Sequence, residues 1–140
     1  MNLKFAFAVN SQGLFEKKHF GDSDIFLIYE LKDDKMLLVS EVANLFKNLE
    51  HGQGKKGDFI ADLLKKSDVN VLVSMQFGEN IKIVNQHFIP IVIYTPNNNE
   101  ISEIIIKHKH WILDEWNSKS TNYSLFTIKS GIFKEKIRRK

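Results

Sequence analysis

Cysteine is absent from the 140-residue chain, and its absence excludes several kinds of site at once. Disulfide bonds, thiolate metal sites and cysteine nucleophiles all require a sulfur that this chain does not supply. Any metal would have to bind through imidazole, carboxylate or thioether groups, which narrows the search for a site to a few residue types.

Long apolar runs are missing as well. No run approaches the ~18 residues that a membrane-spanning helix requires, so no membrane partner is expected. The opening stretch MNLKFAFAV is too short for the core of a signal peptide and predicts a first strand instead. Together with the missing cysteines, these features favour a protein of the cytoplasm.

The chain has only a small excess of positive charge, with a formal net charge of +3. Much of it lies in residues 134–140, so the rest of the chain is close to neutral. A terminal run of lysine and arginine with few aromatic residues is usually only solvated, and nucleic acid is therefore not an expected partner.

Sequence motifs of the common enzyme classes are absent too. Nucleases and ATPases of the ribonuclease H-like type typically hold Mg²⁺ with a carboxylate on the first strand, whereas residues 3–9 contain no Asp or Glu. The sequence contains no G-x-S-x-G or Walker motif, and no G-x-G-x-x-G directly follows a predicted strand. We therefore predict that the protein is not an enzyme.

What the chain does contain is an alternation of apolar segments and turn signals that predicts an α/β fold. Strands are predicted at 3–9, 25–31, 36–42, 70–74 and 90–94, and helices at about 59–67, 78–87 and 100–116. Asp58 is the predicted N-cap of the first helix, and Asp33–Asp34 the predicted tight turn of a hairpin. This order requires a mixed sheet with helices on both faces.

In such a sheet, ligands bind outside the carboxyl ends of the parallel strands. If only the second strand is antiparallel, the loops after strands one, three, four and five share one edge. His19 and His51 would then lie at that edge, each in a loop that contains glycine. Imidazole suits iron and other transition metals, so these two histidines are the predicted metal ligands.

The other three histidines have ordinary explanations. His87 lies near the end of a predicted helix, and His108 lies on the apolar stripe of the last predicted helix. His110 points away from that stripe and is predicted to face solvent. None of the three is predicted to bind a ligand.

The most glycine-dense segment, Gly52–Gly57, permits a second kind of site. Its backbone N–H groups, together with Lys55 and Lys56, could cradle an anion before the helix that follows. A surface loop with solvated lysines explains the same residues equally well, and both interpretations stay open.

The chain resembles the dinitrogenase iron–molybdenum cofactor biosynthesis family, the nitrogenase accessory-factor domain of the NifX, NafY and NifB C-terminal type. The segments that carry the resemblance are KFAFAVN, HFG at His19 followed by IFLIYE, HG-x-G at His51, ADLL, VNVLVSMQFGEN and FIPIVIYT. The resemblance covers residues 1–116 and leaves 117–140 as an extension with one further strand and a basic tail. SMQFGE departs from the small glycine-rich loop of the family, because Met75, Gln76 and Phe77 fill space there.

The resemblance implies a three-layer α/β/α fold of the ribonuclease H-like type, with a five-stranded mixed sheet. It also implies a non-enzymatic carrier that weakly holds an iron–sulfur cluster, the iron–molybdenum cofactor or a precursor. Its expected partners are metallocluster assembly or acceptor proteins, and a homodimer stays open.

By the same resemblance, the cluster is expected to touch residues of the loops at the carboxyl edge, with His19 as the first choice and His51 as the second. The full expected set is Asn10, His19, Phe20, Gly21, His51, Gly52, Gly54 and Gly78. The alternative function is a small anion- or nucleotide-binding regulatory module that uses Gly52–Gly57.

Overall fold

The computed structural model describes residues 2–48, 55–119, 121–129, 132–135 and 137. Its strands are β1 (Lys4–Val9), β2 (Ile25–Lys32), β3 (Lys35–Ala43), β4 (Val71–Ser74), β5 (Ile89–Ile93), β6 (Leu125–Ile128) and β7 (Ile132–Glu135). Its helices are α1 (Lys55–Lys65), α2 (Ile81–Val84), α3 (Asn98–Lys107) and α4 (Lys109–Ser118), with 3₁₀ turns at Phe20–Asp22 and Gly78–Asn80. No helix within these ranges is long and apolar enough to cross a membrane.

The strands form one mixed sheet in the order β3-β2-β1-β4-β5-β6-β7. Strands β1, β4, β5 and β6 are parallel neighbours, while β2 is antiparallel to both β1 and β3. The α/β class and the directions predicted for the first five strands are confirmed. The sheet has seven strands in the described part of the chain, where five were expected, because β6 and β7 extend it.

The side chains of β1 alternate between the two faces of the sheet, as strand geometry requires. Phe5 and Phe7 join the apolar core beneath α3 and α4. Ala6 and Ala8 join a second core beneath α1 and α2. Helices therefore cover both faces, and the three layers expected from the sequence are present.

The predicted hairpin between β2 and β3 is confirmed. Asp33 and Asp34 form its turn with φ angles of 51° and 59°. Two consecutive positive φ angles are typical of the type I′ turn, whose twist matches that of the flanking strands.

Helix boundaries were predicted less accurately. Helix α1 begins at Lys55, so Asp58 lies in its first turn and is not the N-cap. The second predicted helix is only the 3₁₀ turn at Gly78–Asn80 followed by the short α2. The third is divided at His108, whose φ of −113° and ψ of 21° are not helical, into α3 and α4.

Residues after 116 contribute two strands, where one was expected. Phe126 and Ile128 of β6 are fully buried against the core beneath α3 and α4. The rings of Trp116 and Tyr123 stack with centroids 5.1 Å apart, which packs α4 against the segment leading into β6. A domain boundary at residue 116 stays a prediction.

Candidate functional site at the carboxyl edge of the sheet

The carboxyl ends of β1, β3, β4 and β5 lie at one edge of the sheet because these strands point in the same direction. We call the described residues that follow these ends the exit edge: 10–24, 44–48, 75–80 and 94–97. Strands β1 and β4 are direct neighbours, so the chain leaving β1 meets the chain leaving β4.

His19 lies where these two chains meet. Its backbone forms an isolated parallel bridge with Gln76, and the Phe20 N–H donates to the Gln76 carbonyl at 2.7 Å. The imidazole lies directly against Gly78, where a Cβ would be 2.7 Å from His19 Nδ1 and 2.9 Å from Cε1. Gly78 also has a φ of +67°, so its position requires glycine both for the backbone and for the ring.

Phe20 anchors the turn that carries His19. Its side chain is fully buried, and its ring lies 5.1 Å from Phe26 and 5.4 Å from Phe77, centroid to centroid. Phe77, one of the three residues expected to fill space after β4, therefore packs against the turn. The side chain of Phe20 belongs to the core, and its expected contact with a ligand stays a prediction.

Asn10 shapes the start of the same loop. Its side-chain oxygen accepts the N–H groups of Gln12 and Leu14 at 2.9 and 3.0 Å, an Asx-turn arrangement. This oxygen therefore organises the backbone, and its expected role at a cluster remains untested.

Asn44 is a buried residue that the sequence did not single out. Its side-chain amide donates to the carbonyls of Gly21 and Ser23, both at 2.9 Å. Its side-chain oxygen accepts the Phe46 N–H at 3.1 Å. Asn44 thus ties the His19 turn to the end of β3, and the only signal in the sequence was an amide two residues beyond the predicted strand 36–42.

Lys56 is the second residue that the sequence did not identify correctly. Its side chain is 1% exposed, and its Nζ lies 2.6 Å from Asp22 Oδ1 and 2.9 Å from the Lys47 carbonyl. The interpretation of Lys56 as a solvated lysine is therefore wrong, whereas its proposed role as an anion ligand stays a prediction. A buried ammonium needs such partners because losing hydration costs several kcal/mol.

Three of the expected site residues, His51, Gly52 and Gly54, lie outside the described residues. Gly57, which was expected in the same loop, is buried within α1. The structure therefore brings His19, Phe20, Gly21 and Gly78 together and leaves the position of His51 a prediction.

Charged side chains border the His19 turn. Lys47 and Asp24 form an ion pair at 2.7 Å, and this hydrogen bond is the main reason that the pKa of Asp24 is lowered. Lys17 and Lys18 directly precede His19 and are exposed, with Lys18 lying 3.8 Å from Glu16. Lys17 and Lys18 therefore place positive charge next to His19 along the chain.

The described residues contain no group of three or more His, Asp or Glu side chains that could hold a metal ion. His110 is exposed, as predicted, and His108 is half-buried at the junction of α3 and α4. Burial, followed by the nearby Lys65, lowers the pKa of His87. These three histidines follow α2 or α3 and lie away from the exit edge.

Residues 1–110 match a protein family described as dinitrogenase iron-molybdenum cofactor. The match runs from β1 into the first turn of α4, so it includes the whole exit edge, whereas β6 and β7 lie beyond it. No curated protein matches the chain.

Proposed function

Because the chain belongs to the dinitrogenase iron–molybdenum cofactor family, we propose that it is a non-enzymatic carrier of a metallocluster. The cargo is an iron–sulfur cluster, the iron–molybdenum cofactor or a precursor of either. One observation carries the proposal: the His19 imidazole is held against Gly78 at the exit edge. A single imidazole can bind one iron of a cluster without enclosing it, which suits a cargo that is held weakly and then released.

His51 is the proposed second ligand. Support comes from the two residues that flank its loop in the sequence: Lys47 precedes it and Lys56 follows it. The carbonyl of Lys47 and the ammonium of Lys56 are 2.9 Å apart. Both of these residues adjoin Asp22 or Asp24, so the loop starts and ends beside the His19 turn. We propose that Gly52 and Gly54 let its backbone approach the cluster closely.

The location and the partners of the carrier are part of the same proposal. We propose that the protein lies in the cytoplasm, where it exchanges cargo with cluster-assembly and acceptor proteins. The order β3-β2-β1-β4-β5 supports a ribonuclease H-like arrangement within the larger sheet. A homodimer remains a prediction that a sedimentation measurement would check.

Anaerobic cluster loading tests the function. Purified protein is incubated with ferrous iron and sulfide, desalted, and examined by visible absorption and by iron and sulfide analysis. Wild type and His110→Ala, a matched change of an exposed histidine, should retain cluster, whereas His19→Ala should lose most of it. Equal loading of wild type and His19→Ala would contradict the proposed site.

The competing function is the anion- or nucleotide-binding module built on Gly52–Gly57. It has lost the support of Lys56, whose ammonium is bound to Asp22, and of Gly57, which lies inside α1. A thermal-shift screen with phosphate and nucleotides separates the two functions. A phosphate-induced shift that persists in His19→Ala, without cluster loading of the wild type, would favour the module over the carrier.

A further inference from the structure

The His19 turn is tied to α1 by an ion pair with one deeply buried member. Lys56 Nζ lies 2.6 Å from Asp22 Oδ1, with the two side chains 1% and 31% exposed. The Asp22 N–H in turn donates to the His19 carbonyl at 2.8 Å. Lys56 therefore reaches the backbone of His19 through one intermediate residue.

A second hydrogen bond holds the Lys56 ammonium in place. The ammonium also donates to the Lys47 carbonyl at 2.9 Å, so it is held between the end of β3 and the His19 turn. If Asp22 moved away, the buried ammonium would lose a charged hydrogen-bond partner, which is costly in a buried site. The turn is thus restrained at Asp22 much more strongly than an exposed ion pair would restrain it.

The burial of Phe20 alone does not determine where the imidazole points. Hydrogen bonds from the Phe20 N–H to the Gln76 carbonyl and from Asn44 to the Gly21 and Ser23 carbonyls hold the backbone of the turn. The bond from Lys56 to Asp22 adds a charged restraint, which lies one hydrogen bond away from the His19 carbonyl. The imidazole lies so close to Gly78 that a Cβ there would be 2.7 Å from Nδ1, so a small movement of the turn would change this contact.

We propose that Lys56 is a positioning residue, which acts through Asp22 to hold the His19 imidazole against Gly78. Its importance for cargo rests on the proposed function. The geometry itself belongs to the protein without cargo and is measured there.

Nuclear magnetic resonance of the cargo-free protein gives the direct test. The ring against Gly78 should shift the Gly78 Hα resonances and give nuclear Overhauser contacts with them, assigned by their disappearance in His19→Gln. Lys56→Met should lose most of both signals. The matched control is Lys47→Met, which removes the 2.7 Å pair with Asp24 but keeps the Lys47 carbonyl, and it should retain both signals.

A neutral double variant keeps the test decisive if Lys56→Met folds poorly. Asp22→Ala combined with Lys56→Met removes both charges and leaves no buried charge without a partner. It should be more stable than Asp22→Ala alone, and it should still lack the contact between His19 and Gly78. If Lys56 had only a structural role, the double variant would regain the contact between His19 and Gly78 together with the stability.

The results separate the positioning role from the carrier function. If Lys56→Met or the double variant folds and keeps the wild-type Gly78 signals, the positioning role is overturned. It is also overturned if Lys47→Met loses these signals. If the wild type takes up no cluster while the signals behave as expected, the carrier function fails and the positioning role stands. If both hold, cluster loading of Lys56→Met should fall between wild type and His19→Ala.

Discussion

Two regions of this protein each use one buried charge to hold a chain segment in place. On one face of the sheet, Lys56 of α1 is 1% exposed and binds Asp22 of the His19 turn. On the other face, Glu115 of α4 is 3% exposed and accepts the Ser124 N–H at 2.8 Å. Glu115 also has lysine partners on both sides of β6: Lys119 at 3.0 Å and Lys134 at 3.6 Å.

The difference lies in what each held segment contributes. The segment held by Glu115 enters β6, whose Phe126 and Ile128 are fully buried, so its attachment is linked to the main core. The segment held by Lys56 also contains a fully buried side chain, that of Phe20, but it additionally carries the half-buried imidazole of His19, which belongs to neither core. We therefore expect substitutions around Glu115 to act through global stability, whereas substitutions around Lys56 should also change the position of the His19 imidazole.

The largest expected effect follows from Glu115→Ala. Removing the carboxylate leaves the buried Ser124 N–H without its acceptor and removes the ion-pair partner of two lysines. The free energy of unfolding should fall by about 2–3 kcal/mol, measured by urea denaturation. Asp114→Ala, which changes the adjacent exposed carboxylate, should alter it by less than about 0.5 kcal/mol. Similar losses for the two variants would contradict the comparison.

Glycine substitutions at the exit edge should have the next largest effect. Gly78 and Gly13 both have positive φ, at 67° and 79°, so alanine at either should cost about 1–2 kcal/mol in the backbone. Only Gly78→Ala also meets the His19 ring, at 2.7 Å, whereas the nearest atom at Gly13 is Leu27 Cδ1 at 3.8 Å. Gly78→Ala should therefore be less stable than Gly13→Ala in urea denaturation. It should also reduce cluster loading while Gly13→Ala does not, and equal behaviour would place the ring elsewhere.

The pH dependence of stability sharpens the comparison from the side of Glu115. Burial alone raises the pKa of Glu115, but the Ser124 N–H and the ammonium groups of Lys119 and Lys134 outweigh it, and the pKa lies below its ordinary 4.5. A carboxyl whose pKa is lower when folded stabilises the fold above its unfolded pKa, and this contribution is lost as the pH falls through the folded pKa.

Glu115→Gln, which cannot ionise, measures this contribution. The difference in unfolding free energy between wild type and Glu115→Gln should be constant over about pH 6–8 and should shrink as the pH drops below about 4.5. Urea denaturation at several pH values checks this. A difference that stays constant down to acid unfolding would show that the Glu115 charge does not stabilise the fold.

Much of the fold followed from local patterns in the sequence. Alternating or continuous apolar segments predicted the first five strands, and the adjacent pair Asp33–Asp34 predicted the hairpin turn. Strand direction then placed the loops of His19 and Gly78 at the same edge of the sheet, while their direct contact became clear only from the pairing of β1 with β4. These features were predictable because each depends on neighbouring residues or on a general rule of chain connection.

The rest depended on contacts between distant residues. Lys56 and Asp22 are 34 residues apart, and nothing near Lys56 in the sequence distinguishes it from an exposed lysine such as Lys66. Short strands such as β7 become clear only when β6 is present to pair with them. The break at His108 interrupts an apolar stripe that continues through it, so periodicity predicted one helix where there are two.

The smallest expected effect comes from Lys47→Met, and it isolates burial as the cause of the difference between neighbouring ion pairs. The Lys47–Asp24 pair is as short as the Lys56–Asp22 pair, at 2.7 against 2.6 Å, but its side chains are 43% and 22% exposed. Water and salt screen such a pair, so the free energy of unfolding should fall by less than about 1 kcal/mol, with the difference decreasing further in high salt. The hydrogen bond from Lys47 is the main cause of the lowered Asp24 pKa, so this pKa should rise toward its ordinary value, measured by carboxyl ¹³C titration. If Lys47→Met instead lowered the free energy of unfolding as much as Lys56→Met does, the length of an ion pair and not its burial would determine its contribution to stability.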